Sequence, residues 1–93
     1  MKMNALAGER VERRLAHILL KLADRTGRRE PEGTLITIPL SRQDLADMAG
    51  TTLETAIRIM SRFNLSGMVK TLKGGYLLLL DEEQLRQLAK PGS

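Results

Sequence analysis

The sequence of 93 residues contains no cysteine, and it has very few aromatic residues and histidines. Without cysteine the chain cannot form disulfides, thiol nucleophiles or cysteine-ligated zinc and iron–sulfur sites. Phe63 and Tyr76 are its only aromatic residues, so the core must be built from Leu, Ile, Val, Met and Ala. The single histidine, His17, is expected to be a packing or surface residue rather than a ligand.

Long apolar runs are also missing. The longest one, Tyr76 to Leu80, is far shorter than the roughly 18 residues of a membrane-spanning helix and is typical of a strand. The N-terminus has no apolar stretch like that of a secretory signal, so we expect a cytoplasmic protein without membrane contact. Because no nucleophile–base pair, metal cluster or phosphate-binding glycine loop is present, we predict no catalytic residue, no metal and no cofactor in this chain.

What the sequence does contain is an ordinary globular balance with an excess of basic charge. Hydrophobic residues make up 42% and charged residues 28%, which predicts one folded domain rather than a disordered chain. Fifteen Lys and Arg against 11 Asp and Glu give a formal net charge of +4. A basic domain of this kind favours a polyanionic partner.

Regularly spaced apolar residues predict a long first helix, from Glu9 to about Thr26. Gly27 stands where a helix C-terminus belongs. Residues 1–8 show no such periodicity, and we expect them to be a disordered lead-in or a cloning remnant. The predicted domain therefore comprises residues 9–90, followed by a tail at residues 91–93.

A loop and a strand are predicted before the second helix. The polar run from Arg28 to Gly33 is expected to be the loop, and the β-branched run from Leu35 to Ile38 the strand. Ser41 has the features of an N-cap, with Asp44 three residues later, and Gly50 ends the short helix that follows. The residues expected to face inward on this helix are Leu45, Ala46, Met48 and Ala49.

A third helix follows at once. Thr51 to Glu54 satisfies the capping-box pattern, and the helix is expected to run to about Leu65. Its predicted inward stripe comprises Ala56, Ile59, Met60 and Phe63. Two helices joined around a glycine form a helix-turn-helix unit, and a small Ala46 and Ala56 on either side let the helices approach closely.

The C-terminal third predicts a β-hairpin and a short helix. Met68 to Leu72 and Tyr76 to Leu80 are strand-like runs, and Lys73-Gly74-Gly75 between them is suited to a tight turn. Asp81 is expected to cap the last helix. The fold class predicted is mainly α with a small β-sheet: a winged helix-turn-helix with a three-helix core, a hairpin wing and a short C-terminal helix.

Two stretches in the helix-turn-helix carry a recognisable pattern: Ser-Arg-Gln-Asp-Leu-Ala at residues 41–46 and Glu-Thr-x-x-Arg at residues 54–58. With them, the run from Val11 to Leu88 resembles the C-terminal winged-helix DNA-binding domain of the CRP/FNR family of bacterial transcription regulators. The resemblance implies the DNA-reading part of a regulator that forms a homodimer through an N-terminal region absent here and binds a palindromic operator in double-stranded DNA. It also implies that the predicted loop at residues 28–33 matches one through which family activators contact RNA polymerase.

The base-reading residues are expected on the third helix. Glu54 and Arg58 lie one turn apart and off the inward stripe. Arginine can donate two hydrogen bonds to guanine O6 and N7, and glutamate can accept one from cytosine N4. The family resemblance implies these roles for Glu54 and Arg58. The alternative is a solvent-facing ion pair that only supports the helix.

Two aliphatic neighbours depart from the family pattern. Leu53 stands where one branch of the family often has a basic residue, and Ile57 replaces a serine that is common in another branch. Both side chains could contact thymine methyl groups in the major groove. Alternatively, Ile57 packs against the second helix and Leu53 against the turn.

Hydroxyl and cationic side chains at helix starts and in the wing are the candidates for phosphate contacts. These candidates are Ser41, Arg42, Thr51, Thr52, Arg62, Lys70 and Lys73. Residues 51–73 carry four basic side chains and only one acidic one, so the basic charge is concentrated there. The alternative function is a winged helix that binds a protein and no specific DNA.

Overall fold

The computed structural model describes the backbone of residues 2–90 and the side chains of residues 10–90. Its elements are α1 (Lys2–Thr26), β1 (Gly27–Glu30), β2 (Gly33–Ile36), α2 (Arg42–Ala49), α3 (Leu53–Leu65), β3 (Val69–Thr71), β4 (Leu77–Leu79) and α4 (Glu82–Ala89). The strands form one antiparallel sheet in the order β1-β2-β4-β3. The predicted winged helix-turn-helix is confirmed. The predicted tail at residues 91–93 lies outside the described residues.

Helix α1 is the scaffold of the domain. Leu15 and Leu19 are fully buried in the core, whereas His17 is exposed and therefore a surface residue. The helix ends at Thr26, as the glycine after it predicts. It begins at Lys2, so the expectation of a disordered lead-in is wrong for residues 2–8, which continue the helix. Alanine and leucine, both strong helix formers, occupy residues 5–7 and favour this extension.

The segment from Arg28 to Gly33 is not the predicted loop. Its first half belongs to β1, Pro31 and Glu32 make a turn, and β2 begins two residues earlier than the predicted strand. Strand β1 was hidden because its sequence, Gly-Arg-Arg-Glu, contains no apolar residue, and the strand is stabilised by backbone pairing with β2. Gly33 permits the close packing of this hairpin on β4, since a Cβ there would lie 2.0 Å from the carbonyl oxygen of Leu79.

The turn between α2 and α3 has the geometry that the sequence predicts at its glycine. Ser41 and Asp44 form a complete capping box at the start of α2, and Gly50 ends the helix with a left-handed φ of 66°. Met48 was wrongly placed in the core, because it lies to one side of the buried stripe and is 46% exposed. The buried residues of α2 are Leu45, Ala46 and Ala49.

Helix α3 begins one residue later than the capping-box pattern suggests. Thr52 is the N-cap, and its side chain accepts a hydrogen bond from the backbone N–H of Thr55. The backbone N–H of Thr51 instead donates to the carbonyl of Ala46 at 2.9 Å and closes the turn. Glu54 therefore takes no part in capping, and its carboxylate is left for another role.

The wing and the last helix follow the sequence closely. Strands β3 and β4 occupy the centres of the two predicted runs, and Gly74 and Gly75 between them adopt φ of 87° and 88°. Asp81 caps α4 as expected. The core combines both halves of the chain, and its largest fully buried side chains include Leu15, Leu19, Ile36, Leu45, Ile59, Met60, Phe63, Leu77, Leu79 and Leu85.

Candidate nucleic-acid interface

One face of α3 is anchored in the core and the opposite face is open. The four residues of the predicted inward stripe, Ala56, Ile59, Met60 and Phe63, are all buried. The residues that this leaves exposed on the helix include Leu53, Glu54, Ile57, Arg58, Ser61 and Arg62. Ser61 was not among the sequence-based candidates, although it lies on the same face. The structure thus brings all four predicted base-reading residues together on one exposed surface.

Arg58 is held by a neighbour that the sequence did not indicate. Its Nη2 donates to the hydroxyl oxygen of Thr55 at 3.3 Å, and the same oxygen accepts a hydrogen bond from the hydroxyl of Thr52 at 3.0 Å. No hydrogen bond or ion pair joins Glu54 to another side chain among residues 10–90. The alternative of a Glu54–Arg58 ion pair is therefore not what this structure contains. The contact between Thr55 and Arg58 could have been predicted from their spacing, since residues three apart are neighbours on a helix surface.

The two aliphatic neighbours are substantially exposed. Leu53 is 41% and Ile57 is 45% exposed, so each side chain is partly covered by the domain and keeps a large part of its surface in solvent. Because residues four apart share a helix face, Leu53 and Ile57 form a short apolar strip beside Glu54 and Arg58.

Arg42 connects the start of α2 to the wing. Its Nη2 donates to the hydroxyl oxygen of Thr71 at 3.0 Å, and that hydroxyl in turn donates to Oδ1 of Asn64 at 3.2 Å. Partial burial lowers the pKa of the Arg42 guanidinium, which nevertheless stays charged at neutral pH. Thr71 and Asn64 were missed from the sequence, because only the fold brings α2, α3 and β3 together.

The remaining phosphate candidates differ in how they are engaged. Ser41 and Thr52 use their side-chain oxygens as helix caps. Arg62 lies 3.5 Å from a carboxylate oxygen of Glu12 on α1, so this cation is tied to the scaffold helix in the free chain. Lys70 and Lys73 are exposed on the wing.

Helix α1 also makes polar contacts with the helix-turn-helix. A guanidinium nitrogen of Arg14 donates to the carbonyl oxygen of Ala49, at the C-terminus of α2. A cation at this end of a helix satisfies a free carbonyl and complements the helix dipole. Arg14 and Glu12 therefore link α1 to both helices of the unit.

The β1–β2 hairpin carries the segment expected to contact RNA polymerase. Its tip at Pro31 and Glu32 is exposed, and Arg28 pairs with Glu30 at 2.7 Å. Arg29 instead fastens the hairpin to the start of α4. The bonds of that cluster join Arg29 to Thr34 at 2.9 Å, Arg29 to Glu82 at 3.2 Å and Thr34 to Glu82 at 2.8 Å.

The chain matches the model of a known protein family. The model of the Crp-like helix-turn-helix domain matches residues 13–88, which is most of the chain. The chain belongs to this family. The Crp-like domain here is 33% identical over 84 residues to electron transport regulator A of Shewanella oneidensis. It is 32% identical over the same length to the fumarate and nitrate reduction regulatory protein of Escherichia coli.

In both comparisons the aligned region covers 90% of this Crp-like chain and 33% of the relative, so the chain spans about a third of the length of the curated relatives it matches. Among solved structures, the CO-dependent transcription factor CooA from Carboxydothermus hydrogenoformans is 28% identical, with a TM-score of 0.85. That match covers 95% of this chain and 40% of CooA. None of the helices in the described part of the chain is long and apolar enough to cross a membrane.

Proposed function

We propose that this chain is the DNA-reading domain of a CRP/FNR-type bacterial transcription regulator and binds double-stranded DNA with α3 in the major groove. The observation that carries the proposal is the exposed face of α3, on which Glu54 and Arg58 both stand off the buried stripe of the helix. Helix-turn-helix proteins place this helix in the groove, with residues near its N-terminus on the base edges.

Arg58 and Glu54 are assigned the reading of adjacent base pairs. Arg58 donates in a fork to guanine O6 and N7, and Glu54 accepts from cytosine N4. The bond from Arg58 to Thr55 supports this role, because it restricts the freedom of the guanidinium before DNA arrives. The carboxylate of Glu54, which caps no helix and pairs with no side chain among residues 10–90, is available to accept.

The surrounding groups are assigned to the phosphate backbone. Backbone N–H groups at helix starts, hydroxyls and cations position a protein on DNA without reading its sequence. The residues assigned this role are Ser41, Arg42, Thr51, Thr52, Arg62, Lys70 and Lys73. Arg62 must leave Glu12 to reach a phosphate, so we expect it to contribute less than the wing lysines.

Selection of DNA from a random pool by the full chain tests the proposal. We expect a single consensus half-site, bound with an affinity that falls steeply as salt rises, because phosphate contacts release counterions. Recovery of unrelated sequences, together with salt-insensitive binding to a protein, would instead favour the protein-interaction function of a winged helix.

We propose further that the complete regulator is a cytoplasmic homodimer on a palindromic operator. The β1–β2 hairpin at residues 28–33 is proposed as its RNA polymerase contact, because its tip is exposed and charged. No reaction and no cofactor are assigned to this chain, since every residue in the proposed site is suited to binding DNA.

A further inference from the structure

Two large aliphatic side chains on the open face of α3 keep a large part of their surface in solvent. Leu53 is 41% and Ile57 is 45% exposed, although the helix has a complete buried stripe on its other side. Neither residue belongs to that buried stripe. The apolar surface that Leu53 and Ile57 leave exposed on the proposed DNA-binding face matches an apolar feature of the ligand.

The major groove offers one apolar group for such a side chain to contact. Each base pair presents hydrogen-bond donors and acceptors there, and thymine alone among the unmodified bases adds a methyl group at C5. An isoleucine cannot exchange hydrogen bonds with a base edge. The chemistry of Ile57 thus selects a methyl group and excludes readout by hydrogen bonding.

We propose that Ile57, flanked by Leu53, reads the C5-methyl group of a thymine next to the base pairs contacted by Glu54 and Arg58. The inference rests on the proposed function and makes its ligand more specific. Ile57 directly precedes Arg58 and lies one turn beyond Leu53, so its methyl groups face a base pair adjoining those read by the polar residues. The preferred half-site therefore contains a thymine whose methyl group contributes to affinity.

Replacing thymine by uracil in the selected half-site provides a direct test. Uracil differs only by the missing methyl group, so base pairing and every hydrogen-bonding edge are unchanged. Each thymine is replaced in turn, and binding of the full chain is measured by fluorescence anisotropy. We expect one replacement to weaken binding by about fourfold, the equilibrium equivalent of exposing one methyl group.

Variants identify the side chain that reads the methyl group. Ile57→Ala should bind the thymine and uracil duplexes equally, whereas Ile57→Val should keep most of the preference. Leu80→Ala is the matched control, because Leu80 is a comparably exposed leucine, at 37%, beyond the end of β4 and outside the helix-turn-helix. It should retain the full fourfold difference.

The outcomes distinguish a failure of DNA binding from a failure of methyl readout. If the chain selects no DNA, the proposed function itself fails. If it selects a half-site but no uracil replacement weakens binding, methyl readout is wrong while the DNA-binding function stands. The assignment to Ile57 is likewise overturned if the thymine preference persists in Ile57→Ala.

Discussion

Arg58 and Lys73 both carry a positive charge, but their positions predict different consequences of removing it. Arg58 lies on the exposed face of α3 that is proposed to read bases, and a good bidentate contact to guanine contributes about 1–3 kcal/mol of discrimination. Arg58→Ala should therefore flatten the preference at one base pair in each half-site. Lys73, at the tip of the wing, is expected to contact phosphate only. Lys73→Ala should therefore weaken binding to all DNA sequences equally and lower the slope of log affinity against log salt concentration by about one unit.

Competition binding against single-base variants of the half-site, at several salt concentrations, distinguishes these two patterns. The folded state of each variant is verified by circular dichroism. A uniform loss of affinity in Arg58→Ala, with every base preference preserved, would make this arginine a backbone contact and refute its assignment.

The sequence was sufficient to locate the exposed residues of α3, because helical periodicity separates buried from open positions. It could not reveal which side chains hold one another. The hydroxyl of Thr55 supports Arg58 within the same helix. The hydroxyl of Thr71, by contrast, joins Arg42 to Asn64 only after three elements have packed. Contacts between distant segments depend on the fold and leave no local pattern.

Among the elements, the three core helices and the wing were predictable because each has an apolar stripe or a glycine turn. Strand β1 was not predictable, since its residues have no apolar pattern and the strand is stabilised by backbone pairing with β2. The error at the start of α3 had another origin. Thr51 and Thr52 are equally good caps, and the hydrogen bond from Thr51 to Ala46 decides between them.

Two glycines at element ends should respond differently to alanine. A Cβ at Gly33 would lie 2.0 Å from the carbonyl oxygen of Leu79, so Gly33→Ala must displace the backbone between β2 and β4. We expect it to destabilise the domain by about 2–3 kcal/mol, toward the upper end of ordinary substitutions. Gly67 has a φ of 79°, but no atom of the described residues lies within 4 Å of a Cβ there, so Gly67→Ala should cost only about 1–2 kcal/mol of backbone strain.

Urea unfolding at equilibrium measures both effects. DNA affinity under native conditions serves as the control, since neither glycine lies on the exposed face of α3. Equal destabilisation of the two variants would contradict the close packing at Gly33.

The β1–β2 hairpin is the element proposed to contact RNA polymerase. Arg29 is bonded to Thr34 and Glu82, so replacing it would disturb the fold as well as the surface. The suitable variant is therefore a triple substitution in the complete regulator that leaves Arg29 in place. It combines Arg28→Ala, Glu30→Ala and Glu32→Ala. Transcription activation should fall, while operator affinity measured on the same preparation persists. Unchanged activation would remove this surface from consideration.

As a whole molecule, the domain is small enough for two copies to bind side by side. Its principal extents are 41 × 25 × 23 Å, and the two shorter ones are less than the spacing of about 34 Å between half-sites one helical turn apart. Joining two copies makes the second contact intramolecular, which raises avidity by about 10²–10⁴-fold.

A parallel coiled coil fused ahead of residue 1 should therefore bind a palindrome far more tightly than an isolated half-site. The unfused chain is the control and should show little difference between the two DNAs. Equal affinities of the fused protein for palindrome and half-site would contradict this arrangement.

The two outer strands of the sheet also affect how such closely spaced copies behave. Strand β1 has four residues, three of them charged, and β3 has three residues with Lys70 at its centre. Short, charged outer strands are poor templates for another chain's backbone, and sheets bordered in this way resist joining edge to edge. We expect copies that lie close together on DNA to remain separate folded units. The arginines of β1, which gave the strand no apolar pattern in the sequence, also protect the edge of each sheet against aggregation.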